Sequence, residues 1–151
     1  MKYFNVLLFV IFAFVSCNSD EDPKPLETEE LQEPIITDEA PANSAPTSMG
    51  AFTSYAHGLS GKAVIYADAS NAQTLRLELF NLTSGPDVYV FLSKSNNYSA
   101  ANAIPITMLK GSYANNNLTL TLDNSIDLET HKFVLVYCVE FSSLFGFAEL
   151  E

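Results

Sequence analysis

The chain has no tryptophan, two cysteines, two histidines, and seven lysines and arginines against eighteen aspartates and glutamates. Each shortage excludes something. So few cations leave no basic patch to neutralise phosphates, and nucleic acid drops out as a partner. The histidines, His57 and His131, fall in no C-x-x-C or H-x-x-x-H spacing, so no metal motif is present. Ser60, Ser93 and Ser142 have no histidine and acid in any triad order, and no Gly-rich phosphate loop occurs. No catalytic residue stands out. The expectation is a protein that is not an enzyme and has no metal site; the sequence names no cofactor.

What is present begins with an apolar run. Val6 to Val15 follows a single early charge, Lys2, and ends at Ser16-Cys17. About ten residues are too few to span a bilayer, which takes roughly 20. They suit the core of a secretory signal peptide. Phe14-Val15-Ser16-Cys17 resembles the lipobox of bacterial lipoproteins, with Phe14 standing where Leu is usual. The resemblance implies cleavage after a 1–16 signal peptide, a lipid on Cys17, and the membrane as partner through that lipid.

From Asn18 to Ser48 nine acids face Lys24 alone, with Pro23, Pro25, Pro34, Pro41 and Pro46 and no aromatic residue. Such a segment buries too little apolar surface to offset its ordering entropy. Residues 17–48 are therefore expected to form a disordered, self-repelling tether. Acids directly after the cysteine, Asp20-Glu21-Asp22, resemble the surface-export signal of some Gram-negative bacteria. That implies a lipid-anchored, surface-exposed location on the outer membrane.

Residues 49–151 are enough for one domain. Period-two patterns and turn signals run through them, without helical spacing. Thr74 to Leu79 alternates, placing three leucines on one side and Arg76 and Glu78 toward water. Leu118 to Leu122 alternates likewise, behind Asn115-Asn116-Asn117, which reads as a turn. Val88 to Leu92 and Phe133 to Val139 are apolar on both faces, as in strands covered by a second layer. Further strands are expected at Leu59 to Ala67, Ile106 to Lys110 and Phe145 to Leu150, with a short first strand within Phe52 to His57. The fold class is all-β: a single antiparallel β-sandwich or barrel-like domain of about seven to eight strands.

Three phrases go beyond generic sheet: His57-Gly58-Leu59-Ser60-Gly61-Lys62-Ala63, Gly85-Pro86-Asp87-Val88-Tyr89-Val90, and the stretch from Tyr137 to Leu150. In this order and spacing they resemble the DM-thirteen domain family, a small extracytoplasmic β domain found beside DOMON and cytochrome-b-type domains. The resemblance implies a redox or electron-transfer role centred on one cysteine, here Cys138, and an envelope redox partner.

Read by their chemistry, these residues leave two roles open. Cys138 shares a strand face with Val134 and Val136, which suits core packing. Without an intrachain partner it also flags a redox or ligand role, although Glu140 on the same face and burial would both raise its pKa. Asp87 caps turn amides or holds a ligand; Gly146 permits a bulge or close backbone approach. His57 joins Cys138 and Asp87 as a possible ligand. The functional expectation is a non-enzymatic redox module using Cys138. The alternative is a ligand-binding or adhesion module displayed from the membrane, using loops such as Ser95 to Ser99, with Cys138 as packing.

Overall fold

A computed structural model describes residues 31–151; the expected signal peptide, Cys17 and the expected tether up to residue 30 lie outside the described residues. Alternating apolar residues pair into ten strands: β1 (Ile35–Ile36), β2 (Ser44–Ala51), β3 (Thr53–Ser54), β4 (Ser60–Asp68), β5 (Gln73–Leu82), β6 (Val88–Ser93), β7 (Ala103–Leu109), β8 (Tyr113–Thr121), β9 (Phe133–Cys138) and β10 (Ser143–Glu149). They form two antiparallel five-stranded sheets, ordered β1-β8-β5-β4-β2 and β3-β10-β9-β6-β7. The fold is a sandwich rather than a barrel. Along one side Met49 and Glu151 exchange two backbone hydrogen bonds at 3.0 and 3.1 Å, tying β2 to the chain end of the other sheet. The strands beyond the expected seven or eight are short β1 and the edge strand β2.

The core is what period two dictates. Ala63, Ile65, Leu75, Leu77, Leu118 and Leu120 from the first sheet meet Val88, Val90, Leu92, Val134, Val136, Cys138 and Ala148 from the second. The central strands β6 and β9 are covered on both faces, since Phe91 and Leu135 are also buried.

The alternation expected for 74–79 holds only to Leu77. The register shifts between Leu77 and Phe80, Leu79 takes φ 49° and stands 60% exposed, and Phe80 enters the core instead. A bulge makes this switch by opposing two residues to one. Gly61 faces it at φ 113°, where a Cβ would lie 2.6 Å from the Glu78 carbonyl oxygen. The Asn115 to Asn117 stretch is not a turn but part of β8. Side-chain amides of both strands replace ladder bonds lost at the bulge: Asn117 Oδ1 accepts from Leu79 N at 2.9 Å, and Asn81 Oδ1 of β5 accepts from Asn115 N at 3.0 Å. The turn before β8 is made by Gly111, φ 87°.

Two further corrections share one cause. Arg76 does not face water; it is 2% exposed. Its guanidinium donates to the carbonyls of Glu39 and Thr37 at 2.7 and 2.9 Å and to Thr119 Oγ1 at 2.8 Å. The expected tether is accordingly ordered from residue 31. Gln32 accepts from Thr107 Oγ1 at 2.7 Å, Ile35 and Ile36 pair with β8, and 44–51 pairs with β4. Composition counts the apolar surface a segment brings to folding. It misses backbone carbonyls held by a buried arginine of another strand. Pro46 is tolerated because β2 is an edge strand with a register shift at Pro46/Ser48.

Candidate functional site

Cys138 ends β9, opposite Val88 of β6 on one side and Ser143 of β10 on the other. It is wholly buried, and its thiol donates to the Pro86 carbonyl, Sγ···O 2.9 Å. Two tight turns roof it. One is 84–87, fastened by Val139 N donating to the Asp87 carbonyl at 3.0 Å; the other is 139–142, closed by Ser142 N to the Val139 carbonyl at 3.2 Å. Pro86 suits the first because its ring fixes φ just before β6 needs its donors. Glu140 leaves the strand face in the second turn and is exposed. The expected carboxylate beside the thiol is therefore absent.

His57 and Asp87 come to the same end without touching the sulfur. The His57 ring stacks on Phe145 at 3.9 Å between centroids, 21° from parallel. Its carbonyl accepts from Thr83 N at 2.9 Å, joining the 57–58 turn to the roof. Phe145 packs under Gly85, where a Cβ would meet Phe145 Cζ at 3.1 Å and Val88 Cγ2 at 3.0 Å. Burial, and then the neighbouring Asp87 carboxylate, pushes the Tyr89 phenol above its ordinary pKa. Asp87 thus faces a phenol.

His57 (φ 58°), Asp87 (φ 52°) and Ser142 (φ 47°) all occupy the left-handed region. Non-glycine residues there are uncommon, and several at one end mark a roof shaped by the surrounding packing. Gly146 makes the close approach foreseen for it: a Cβ would lie 2.2 Å from the Thr53 carbonyl oxygen. His131 sits at the opposite end of β9, its Nδ1 3.1 Å from the Asp127 carbonyl. No three His, Cys, Asp or Glu side chains among the described residues gather as a metal would need.

Two features escaped sequence reasoning. A cleft of about 650 Å3 lies against β7, lined by Leu31, Gln32, Glu33, Tyr89, Thr107, Met108 and Lys110, away from Cys138. It depends on the 31–33 segment, which the acidic, Pro-rich composition of 18–48 assigned to the tether. On the outer face of the second sheet, Tyr98 stacks on Tyr137 at 4.0 Å and 15°, with Phe91 edge-on to Tyr98 at 4.9 Å. The Ser95 to Ser99 loop is therefore held down by its tyrosine rather than held out.

These features define a class: a small antiparallel sandwich built over one buried thiol, roofed by two turns. The chain belongs to the DM13 family, whose model, described as Electron transfer DM13, matches residues 51–150. No curated protein and no solved structure matches it.

Proposed function

We propose that this chain is a non-enzymatic electron-transfer module, anchored to the outer membrane through a lipid on Cys17, with Cys138 as its redox-sensitive group. The observation that carries the reading is the family match, because the span 51–150 contains one cysteine. The thiol's setting favours one kind of redox chemistry over another. Thiol–disulfide exchange needs an attacking thiolate that a partner sulfur can reach. A wholly buried S–H held by a backbone carbonyl is out of a partner sulfur's reach. The remaining route is one-electron exchange with a centre held by a docked partner. The oxidised centre takes one electron from the sulfur, leaving a thiyl radical, the S–H proton leaves to a base that the partner supplies, and the reverse transfer restores the thiol. The anchoring half of the reading is supported by the Phe14-to-Cys17 segment and the acids that follow it.

The test takes the full chain from its native host's envelope. Absorption spectra and metal content are compared in oxidised and reduced samples, beside Cys138→Ser. A redox-dependent spectral change lost in the variant supports the proposal; identical featureless spectra from both sink it. Fatty-acid labelling lost in Cys17→Ala supports the anchor, and labelling that survives the change removes it.

A further inference from the structure

The end of the sandwich that covers Cys138 is also where apolar surface and unbalanced charge coincide. Phe141, at the tip of the 139–142 turn, is 66% exposed, and Tyr55 is 62% exposed. Tyr55 N donates to the Phe145 carbonyl at 2.8 Å, which holds it beside the start of β10. The exposed His57 ring lies over Phe145 at the same end. Loops 55–59, 83–87 and 139–142 contain no lysine or arginine. The nearest cations are already paired, Lys62 with Glu78 at 2.9 Å and Lys110 with Glu33 at 2.5 Å. Asp87 and Glu140 make no ion pair among the described residues.

We propose that this roof is a docking surface for a basic electron-transfer protein, with Phe141 and Tyr55 as its apolar contact and Asp87 and Glu140 as its acidic rim. The inference rests on the electron-transfer reading and adds the chemistry of the partner. An apolar centre ringed by charge of one sign is how transient electron-transfer contacts are built, small in area and steered by long-range attraction. The sign of the rim selects a cation-rimmed partner. It also disfavours a second copy of this chain, whose formal charge is −11, and an anionic lipid or phosphate surface.

The test is a titration of the 15N-labelled full chain in detergent micelles with a basic c-type cytochrome, then with an acidic one. The expected result is NMR shift changes confined to residues 55–58, 84–87 and 139–142, with the basic partner only. Affinity should fall about tenfold between roughly 20 and 200 mM salt, where screening shortens the reach of the rim. Asp87→Asn, which keeps a side chain tolerated at positive φ, and Glu140→Gln should each weaken binding about threefold at low salt. Phe141→Ala should weaken it at both salt concentrations. Equal binding of the acidic cytochrome, shifts mapping to Tyr98 and Tyr137 instead, or indifference to the double Asp87→Asn/Glu140→Gln variant would overturn the proposal. So would no binding at all. Because the titration reads binding and not electrons, the two readings fail separately. Docking without Cys138-dependent redox behaviour removes the redox role, and redox behaviour without docking removes this surface.

Discussion

The Cys138 sulfur lies 2.9 Å from the Pro86 carbonyl oxygen, so the only thiol of the matched domain is tied to the turn that covers it. A thiol in that position reacts with alkylating reagents only when the roof opens. The expected outcome is labelling in the native chain far slower than in denaturant, at a rate that rises when Asp87→Pro disrupts the 84–87 turn. Cys138→Ala should destabilise by about 1–3 kcal/mol, through lost packing and a carbonyl left without its donor. Cys138→Ser, which keeps a donor, should cost less. Denaturant melts with thiol-labelling kinetics check both.

Arg76 is the second anchor. Removing it strands the carbonyls of Thr37 and Glu39 and frees the chain that crosses the first sheet. Arg76→Ala should cost about 2–4 kcal/mol and expose 31–43 to proteolysis. Arg76→Lys should restore little of this, because a single ammonium cannot reproduce the forked donors. Hydrogen exchange at Thr37 and Leu118, read beside urea melts, distinguishes loss of the strap from global unfolding.

An acid-sensitive cluster lies on the outer face of the same sheet. Glu78 accepts from Tyr66 at 2.9 Å and pairs with Lys62 at 2.9 Å. Desolvation acts to raise its pKa, but hydrogen bonds from Lys62 and Tyr66 and the charges of Lys62 and Arg76 outweigh it, leaving the pKa below the ordinary glutamate value. A folded-state pKa below the unfolded one means the stabilisation is present above about pH 4.5 and is lost as pH falls through the folded value. Thermal melts from pH 6 down to about 2 should show a loss of stability that Glu78→Gln flattens.

The domain is longer than the family match. Residues 31–50 contribute β1 and most of β2, and a Cβ on Gly50 would overlap the Glu149 carbonyl oxygen. A fragment 51–151 should therefore melt well below 31–151. Gly50→Ala should be severely destabilising, because the obstacle is backbone and cannot rotate away. Calorimetry of the two fragments and the variant measures this directly.

How much the sequence disclosed depends on which force acted at each residue. Period two located β5, β6, β8 and β9 and the inward face of Val134, Val136 and Cys138, because burial enforces it residue by residue. It failed at Leu79, where a bulge resets the register, and at Arg76, whose partners lie 37 and 39 residues away. The Asn triplet looked like a turn because local propensity ignores the broken ladder that those amides repair. Of the candidate site, the family phrases singled out His57, Pro86, Asp87 and Cys138, but their order did not reveal that they share one end of the sandwich or which side chains meet there. Stacking of His57 on Phe145 and the 84–87 turn lying directly over the sulfur are products of tertiary packing.

We propose that this chain exchanges electrons through Cys138. Protein-film voltammetry of the full chain and of Cys138→Ser, both shown to be folded by circular dichroism, tests it most directly. The account predicts a reversible wave for the native chain that disappears in the variant. The same wave from both proteins, or none from the native chain, would contradict it and leave Cys138 as core packing.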